Sequence, residues 1–228
     1  MDVPAGGSAA TTAPAGTVAR RLLAMEAGGY RSIVRWVRRR PDIPAGAEAV
    51  GYSQISGPMM WLFVIGSAVE VVVVHVLLHW WPWVQWPVLV LGVWGLVFMV
   101  GLLAGVRTHP HLLTEDTLRV RSGPVLDLGI PYDAIASVST AERSLESSAR
   151  IVGTDAPSEP PSDGGPGTWL GVAVSGGTNV QLRLARALTV PHPGLRETGD
   201  LEVVEVGLWA DEPRVLARLL RERAGLRG

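Results

Sequence analysis

Two stretches in which nearly every position is apolar dominate the chain, one from Met59 to Trp81 and one from Val84 to Val106. Each has the length of roughly 20 apolar residues that a membrane-spanning helix needs. Only Pro82 and Trp83 separate them, so the pattern predicts a helical hairpin with almost no external surface. Beyond Arg107 the pattern shortens. Leu118 and Val120, then Val125, Leu126 and Leu128, flank Ser122-Gly123-Pro124, which predicts two strands and a turn. Ile135 and Val138 belong to a further short strand. Trp169 to Val174 and Val180 to Leu184 flank Ser175-Gly176-Gly177-Thr178-Asn179 as a second hairpin, and Leu201 to Trp209 makes a last strand. The chain closes with a helix whose apolar face is Val215, Leu216, Leu219 and Leu220, opposite Arg214, Arg218 and Arg221. Asp211 is placed to cap it and Pro213 suits its first turn. The fold class is therefore α+β: a two-helix transmembrane hairpin and a small β-barrel or curved sheet plugged by a C-terminal helix.

Upstream of the first span, a helix from Tyr30 to Arg40 would place Ile33, Val34, Trp36 and Val37 on one face. Arg31, Arg35, Arg38 and Arg39 would occupy the other, with Pro41 as the stop. This pattern predicts a helix lying in the membrane interface. An arginine beside an anionic leaflet is worth about 1 kcal/mol, so these four are candidate lipid contacts worth a few kcal/mol before salt screening. The alternative is that their charge only fixes topology. Residues 1–29 open with Ala, Gly, Thr and Pro and are expected to be a disordered tail. Met1 to Val18 has neither the basic start nor the apolar core of a cleavable signal peptide. The expected boundaries are thus 1–29, 30–58, 59–106 and 107–228, with a Ser/Pro/Gly/Asp-rich flexible insertion over 144–167.

Charge orients this arrangement. Seven Arg lie between Arg20 and Arg40, the connector has none, and Arg107, Arg119 and Arg121 follow the second span. Under the positive-inside rule both termini are cytoplasmic, and with an all-arginine basic set, a bias expected of a GC-rich bacterial genome, the expected location is a bacterial plasma membrane. Trp80, Trp81, Trp83 and Trp86 gather at the outer turn, where an indole can hold its ring among acyl chains and its N–H among headgroups. The 228 residues leave room for one modest domain beyond the hairpin and exclude a large multidomain enzyme. Cysteine is absent, which removes disulfides and thiolate chemistry.

Glu70 is the one formally charged residue between Glu48 and Arg107, and it sits within the first span. A charged residue at helix centre costs about 2.5 to 3.5 kcal/mol. Against it stand Leu62, Phe63, Val64, Ile65, Val69, Val71 to Val74, Val76, Leu77 and Leu78. At about −0.3 to −0.6 kcal/mol each they contribute roughly −4 to −7 kcal/mol, so insertion wins. His75 and His79, four residues apart, share a helical face, but Glu70 lies about 140° from His75 and about 180° from His79 at 100° per residue. That separation argues against a metal site within one chain. The second span offers Gln85 and no charged partner, while Gly92, Gly95, Gly101 and Gly105 permit close helix contact. Glu70, His75 and His79 remain candidates for an oligomer contact, for proton or ion handling, or for metal or haem ligation.

The run HLLTEDTLRVRSG at His111 to Gly123, followed by IPYDAIASV at Ile130 to Val138, resembles the opening strands of bacterial pleckstrin-homology-like domains attached to membrane hairpins. ADEPRVLARLL at Ala210 to Leu220 is similar to the C-terminal helix of that fold. From about Arg31 onward the chain resembles small actinobacterial membrane proteins of uncharacterised activity. The resemblance implies a seven-stranded barrel with a capping helix, a scaffold used for protein or lipid contact. The cytoplasmic part carries net charge −3 and only Arg119 and Arg121 share a strand face near its first turn, which disfavours a phosphorylated-lipid site there. His109, His111 and His192 have no nucleophile, phosphate-loop or metal motif around them. No metal, cofactor, catalytic residue or nucleic-acid partner is expected. The expected function is a non-catalytic membrane scaffold, assembly or regulatory protein whose partners are the anionic inner leaflet and a second copy or another membrane protein. The alternative is a small oligomeric transport or proton-linked component using Glu70, His75 and His79.

Overall fold

The computed structural model describes residues 11–145, 151–155, 168–192 and 197–226. In chain order the first elements are β1 (Thr11–Thr12), α1 (Ala15–Val37), β2 (Glu48–Val50), α2 (Gly57–Leu77), α3 (Pro82–Thr108) and β3 (His111–Leu113). They are followed by β4 (Thr117–Ser122), β5 (Leu126–Pro131), β6 (Ile135–Ser139), β7 (Arg143–Ser144), β8 (Ile151–Asp155) and β9 (Thr168–Val172). The chain ends with β10 (Gly177–Thr178), β11 (Val180–Pro191), β12 (Glu197–Thr198), β13 (Asp200–Leu208) and α4 (Pro213–Arg223).

The two apolar runs form α2 and α3, paired along their lengths and long and apolar enough to cross a membrane. Their most apolar stretches are only 11% and 22% buried, so they are not core helices of a soluble domain. Pro82 occupies the first turn of α3, where its missing N–H costs nothing. Trp80 lies three residues past α2, whose own 21 residues rise about 32 Å, close to the ~30 Å of a bilayer's hydrocarbon core.

The amphipathic segment is longer than its pattern predicted. α1 begins at Ala15, so residues 15–29, expected to be disordered, are helical. Ala, Leu, Met and Arg in that stretch are good helix formers, and α1 gains a packing partner in α3. The two backbones meet at glycines: a Cβ on Gly101 would lie 3.3 Å from the Gly29 Cα. α1 ends in a Schellman turn, with the Arg40 N–H on the Arg35 carbonyl, the Arg39 N–H on the Trp36 carbonyl and Arg39 left-handed at φ 52°.

Two sheets pack around one apolar core that includes Leu113, Leu118, Ile130, Leu170, Leu182 and Leu208. One has the order β2-β3-β4-β5 and the other β6-β11-β13-β9-β8. α4 seals the core with Leu216, Ala217 and Leu220. The expected β4–β5 turn, β6, the last strand and the terminal helix are all present. The expected closed barrel is not. β9 runs parallel to β13 within an otherwise antiparallel sheet, and the two sheets stay open.

Two further expectations are corrected. Ser175 and Gly176 do form a tight turn, with φ of 53° and 79°, but β9 and β11 do not pair as a hairpin. After the turn β10 pairs with β7, and β11 crosses to β13 and β6. The insertion read as a flexible loop over 144–167 holds β8, which pairs with β9, while 146–150 and 156–167 lie outside the described residues. Across the boundary expected at residue 107, β2, which precedes the helices, pairs with β3, which follows them. The helical hairpin is therefore inserted between two adjacent strands of one sheet.

Candidate functional site

The helices meet the sheets at a polar junction centred on Asp42, Arg121 and His111. Asp42 sits in the short crossing between α1 and β2, and its N–H donates to the Thr108 carbonyl at the end of α3 at 2.9 Å. Its carboxylate receives Arg35 of α1 at 3.0 Å and Arg121 of β4 at 2.7 Å. Arg121 is 6% exposed and also donates to the Asp42 carbonyl at 2.8 Å and to Asp127 at 3.2 Å. Burial alone would raise the Asp42 pKa, but the hydrogen bond from Arg121 and the nearby charges of Arg35 and Arg121 outweigh it and hold the carboxyl below its ordinary value.

His111 lies beneath this pair. Its Nδ1 accepts the Arg121 backbone N–H at 3.0 Å, and its Nε2–H donates to the Trp209 carbonyl at 3.0 Å. Those two bonds fix one neutral tautomer. Complete burial pushes its pKa down to about 4, with the Trp209 carbonyl opposing and the Arg121 charge assisting. With both ring nitrogens occupied, His111 is neither a metal ligand nor a general base. His109 is held through Nδ1 by the Gly105 carbonyl at 3.1 Å and Thr108 at 3.0 Å, and desolvation lowers its pKa.

The junction has two other fastenings. The Asp211 carboxylate accepts the N–H groups of Ser53 at 3.1 Å and Gln54 at 3.0 Å, just before α2. It does not cap α4 as expected, because the unpaired amides on the other side of the junction take it; Glu212 holds the cap position without a side-chain bond. The β4–β5 turn places Pro124 in a notch between α1 and α3: a Cβ on Gly28 would lie 2.8 Å from the Pro124 Cβ, and one on Gly105 would lie 3.1 Å from its Cδ. Gly123, left-handed at φ 54°, donates its N–H to the Tyr52 hydroxyl at 2.8 Å.

The predicted intramembrane residues lie elsewhere. Glu70 and His75 both line a groove of about 410 Å³ between α2 and α3, together with Ser67, Gln85, Gly92 and Gly95. The angular separation counted along the helix is overcome because a groove between two helices gathers residues from a wide arc. Gln85 donates its amide to the His75 carbonyl at 3.0 Å and lies 3.2 Å from its Nδ1. Glu70 is exposed and has no hydrogen bond or ion pair among the described residues. His79 is outside the groove, with Nδ1 on the Val76 carbonyl at 2.7 Å and its ring against Trp80. Among the described residues no three His, Cys, Asp or Glu side chains gather as metal ligands.

The predicted lipid-contacting arginines divide. Arg35 is consumed by Asp42, whereas Arg31, Arg38 and Arg39 are exposed with no acidic partner among the described residues. Arg119 and Arg121 both bond Asp127, which neutralises the one basic strand face near the first turn. Asp42, His111 and Asp211 were missed as junction residues because their partners are 79, 98 and 158 positions away. The isolated acid Asp42 directly after Arg38-Arg39-Arg40-Pro41 was the available signal. No family model, curated protein or solved structure matches this chain.

Proposed function

We propose that the protein is a non-catalytic scaffold of the bacterial plasma membrane, an assembly or regulatory component that fixes a pleckstrin-homology-like β domain rigidly at the inner leaflet. The observation that carries this reading is the insertion of the bare apolar hairpin between β2 and β3, locked by Asp42 and Asp211. A flexible tether would let a domain sample many orientations; here two strands, a buried arginine and a wedged proline hold a single one. The exposed apolar faces of α2 and α3 call for a nonpolar surrounding. Arg31, Arg38 and Arg39 with the anionic leaflet beside them support an inward-facing domain and cytoplasmic termini. The natural absence of cysteine makes the test direct. Single cysteines replacing Trp83 and Asp133 should show labelling by an impermeant maleimide in intact cells only at position 83. Extraction of the chain by alkaline carbonate, or labelling at position 133 alone, defeats the reading; crosslinking in native membranes then identifies what the domain assembles with.

The joint presence of Glu70 and His75 in one groove supports a second reading, a proton-linked component formed by several hairpins. Proton flux in liposomes that disappears in Glu70→Gln would favour it, and its absence from the wild type would remove it.

A further inference from the structure

The arginines near the ends of the helices are not equivalent. Arg35, Arg119 and Arg121 each end on Asp42 or Asp127. Arg107, in the last turn of α3, has no hydrogen bond or ion pair among the described residues. Its guanidinium carbon lies 5.9 Å from the ring centroids of both Trp36 and Trp61, which are 6.0 Å apart. The guanidinium therefore lies beside both indoles, with its N–H edge free of any acceptor among the described residues.

That edge meets a second source of positive potential. Arg107 Nη2 would lie 3.6 Å from a Cβ built on Gly57, the first residue of α2. The first turn of α2 has no acidic residue and no side-chain cap. The preceding Ser56 keeps its hydroxyl buried without a hydrogen-bond partner. A helix N-terminus is partly positive; here the Gly57 N–H is taken by the Ser53 carbonyl at 2.8 Å and Pro58 has none, so Arg107 itself is the binding group and the helix end only adds to the local positive potential. Phosphate matches the guanidinium fork in shape and charge. From this site the surface continues into exposed Met59, Leu62 and Phe63, which suit acyl chains rather than a soluble anion. Arg38, Arg39 and Arg40 follow Trp36 closely, are exposed and raise the local concentration of anions.

We propose that Arg107, beside Trp36 and Trp61 at the start of α2, binds the phosphate of an anionic phospholipid headgroup in the leaflet facing the sheets. This inference rests on the membrane reading above. The test is native mass spectrometry of the full chain purified in mild detergent and offered equal phosphatidylglycerol and phosphatidylcholine. The wild type should retain phosphatidylglycerol preferentially. Arg107→Gln should lower that retention about tenfold, as expected for loss of a charge-assisted pair. Arg107→Lys, which keeps the charge that guides insertion, should lower it several-fold because an ammonium has no fork and no flat face. Trp61→Leu keeps Arg107 and should also lower it. Retention unchanged in Arg107→Lys and Trp61→Leu overturns the site, as does full displacement of the lipid by glycerol phosphate, which would assign it to a soluble anion. Failure of the membrane reading is separate, because it shows as extraction of the wild-type chain by carbonate.

Discussion

At the junction, Asp42, His109 and His111 are each held by two or more partners, whereas on α2 Glu70 has none among the described residues and His79 bonds its own helix. The residue types are the same and the surroundings differ. At the junction, sheet, turn and two helix ends converge, so Asp42, His109 and His111 find fixed partners and the group specifies one geometry. Around Glu70, neighbours come from α3, whose one polar side chain in the groove is Gln85. Polar residues that are satisfied within the chain define its shape; one left over, as Glu70 is among the described residues, is available to something outside it.

The largest break in this contrast should come from Asp42→Ala, which leaves the buried Arg121 with Asp127 as its one carboxylate. A loss of about 3 kcal/mol is expected in denaturant unfolding of the detergent-solubilised chain, and Asp42→Ala with Arg121→Met should lose less than Asp42→Ala alone. A comparable effect is expected from pH. The depressed pKa of His111 contributes stability that is complete above the unfolded value near 6.5 and is lost as pH falls toward about 4. That window corresponds to on the order of 3 kcal/mol, and His109 shifts in the same sense. Unfolding midpoints measured from pH 7 to pH 4 should fall accordingly, and His111→Leu should flatten the slope.

Gly28→Ala brings a methyl against Pro124 and should cost about 1 to 3 kcal/mol by thermal unfolding, with partial relief when Pro124→Gly is added. The smallest expected change is Glu70→Gln. Folding stability should move by less than about 0.5 kcal/mol, while light scattering should show loss of self-association if Glu70 meets a second copy. A large loss of folding stability in this variant would erase the distinction between the two regions.

What the sequence made legible follows from range. The apolar spans, the Ser122-Gly123-Pro124 turn and the face of α4 are patterns within a dozen or two residues, and each is present. Glu70 stood out in the sequence for its isolation, and the structure leaves it without a partner among the described residues. β2 was missed because Glu48-Ala49-Val50 is too short to show alternation and pairs with a strand beyond the helices. The β9–β11 hairpin was misread because a local turn signal at Ser175-Gly176 was outweighed by pairing with β13. Gly28 and Gly29 looked like tail composition until Pro124 of the β4–β5 turn came to lie against the first and Gly101 of α3 against the second.

The insertion of the hairpin between β2 and β3 also sets an order of assembly. Val50 and His111 are paired residues with about sixty positions between them, a separation that makes unaided strand pairing slow. When α2 and α3 associate, they bring their far ends together and leave Val50 and His111 a few residues from contact. The helices thus act as a template: closure of the first sheet is expected to follow formation of the hairpin, which removes most of the loop-closure cost.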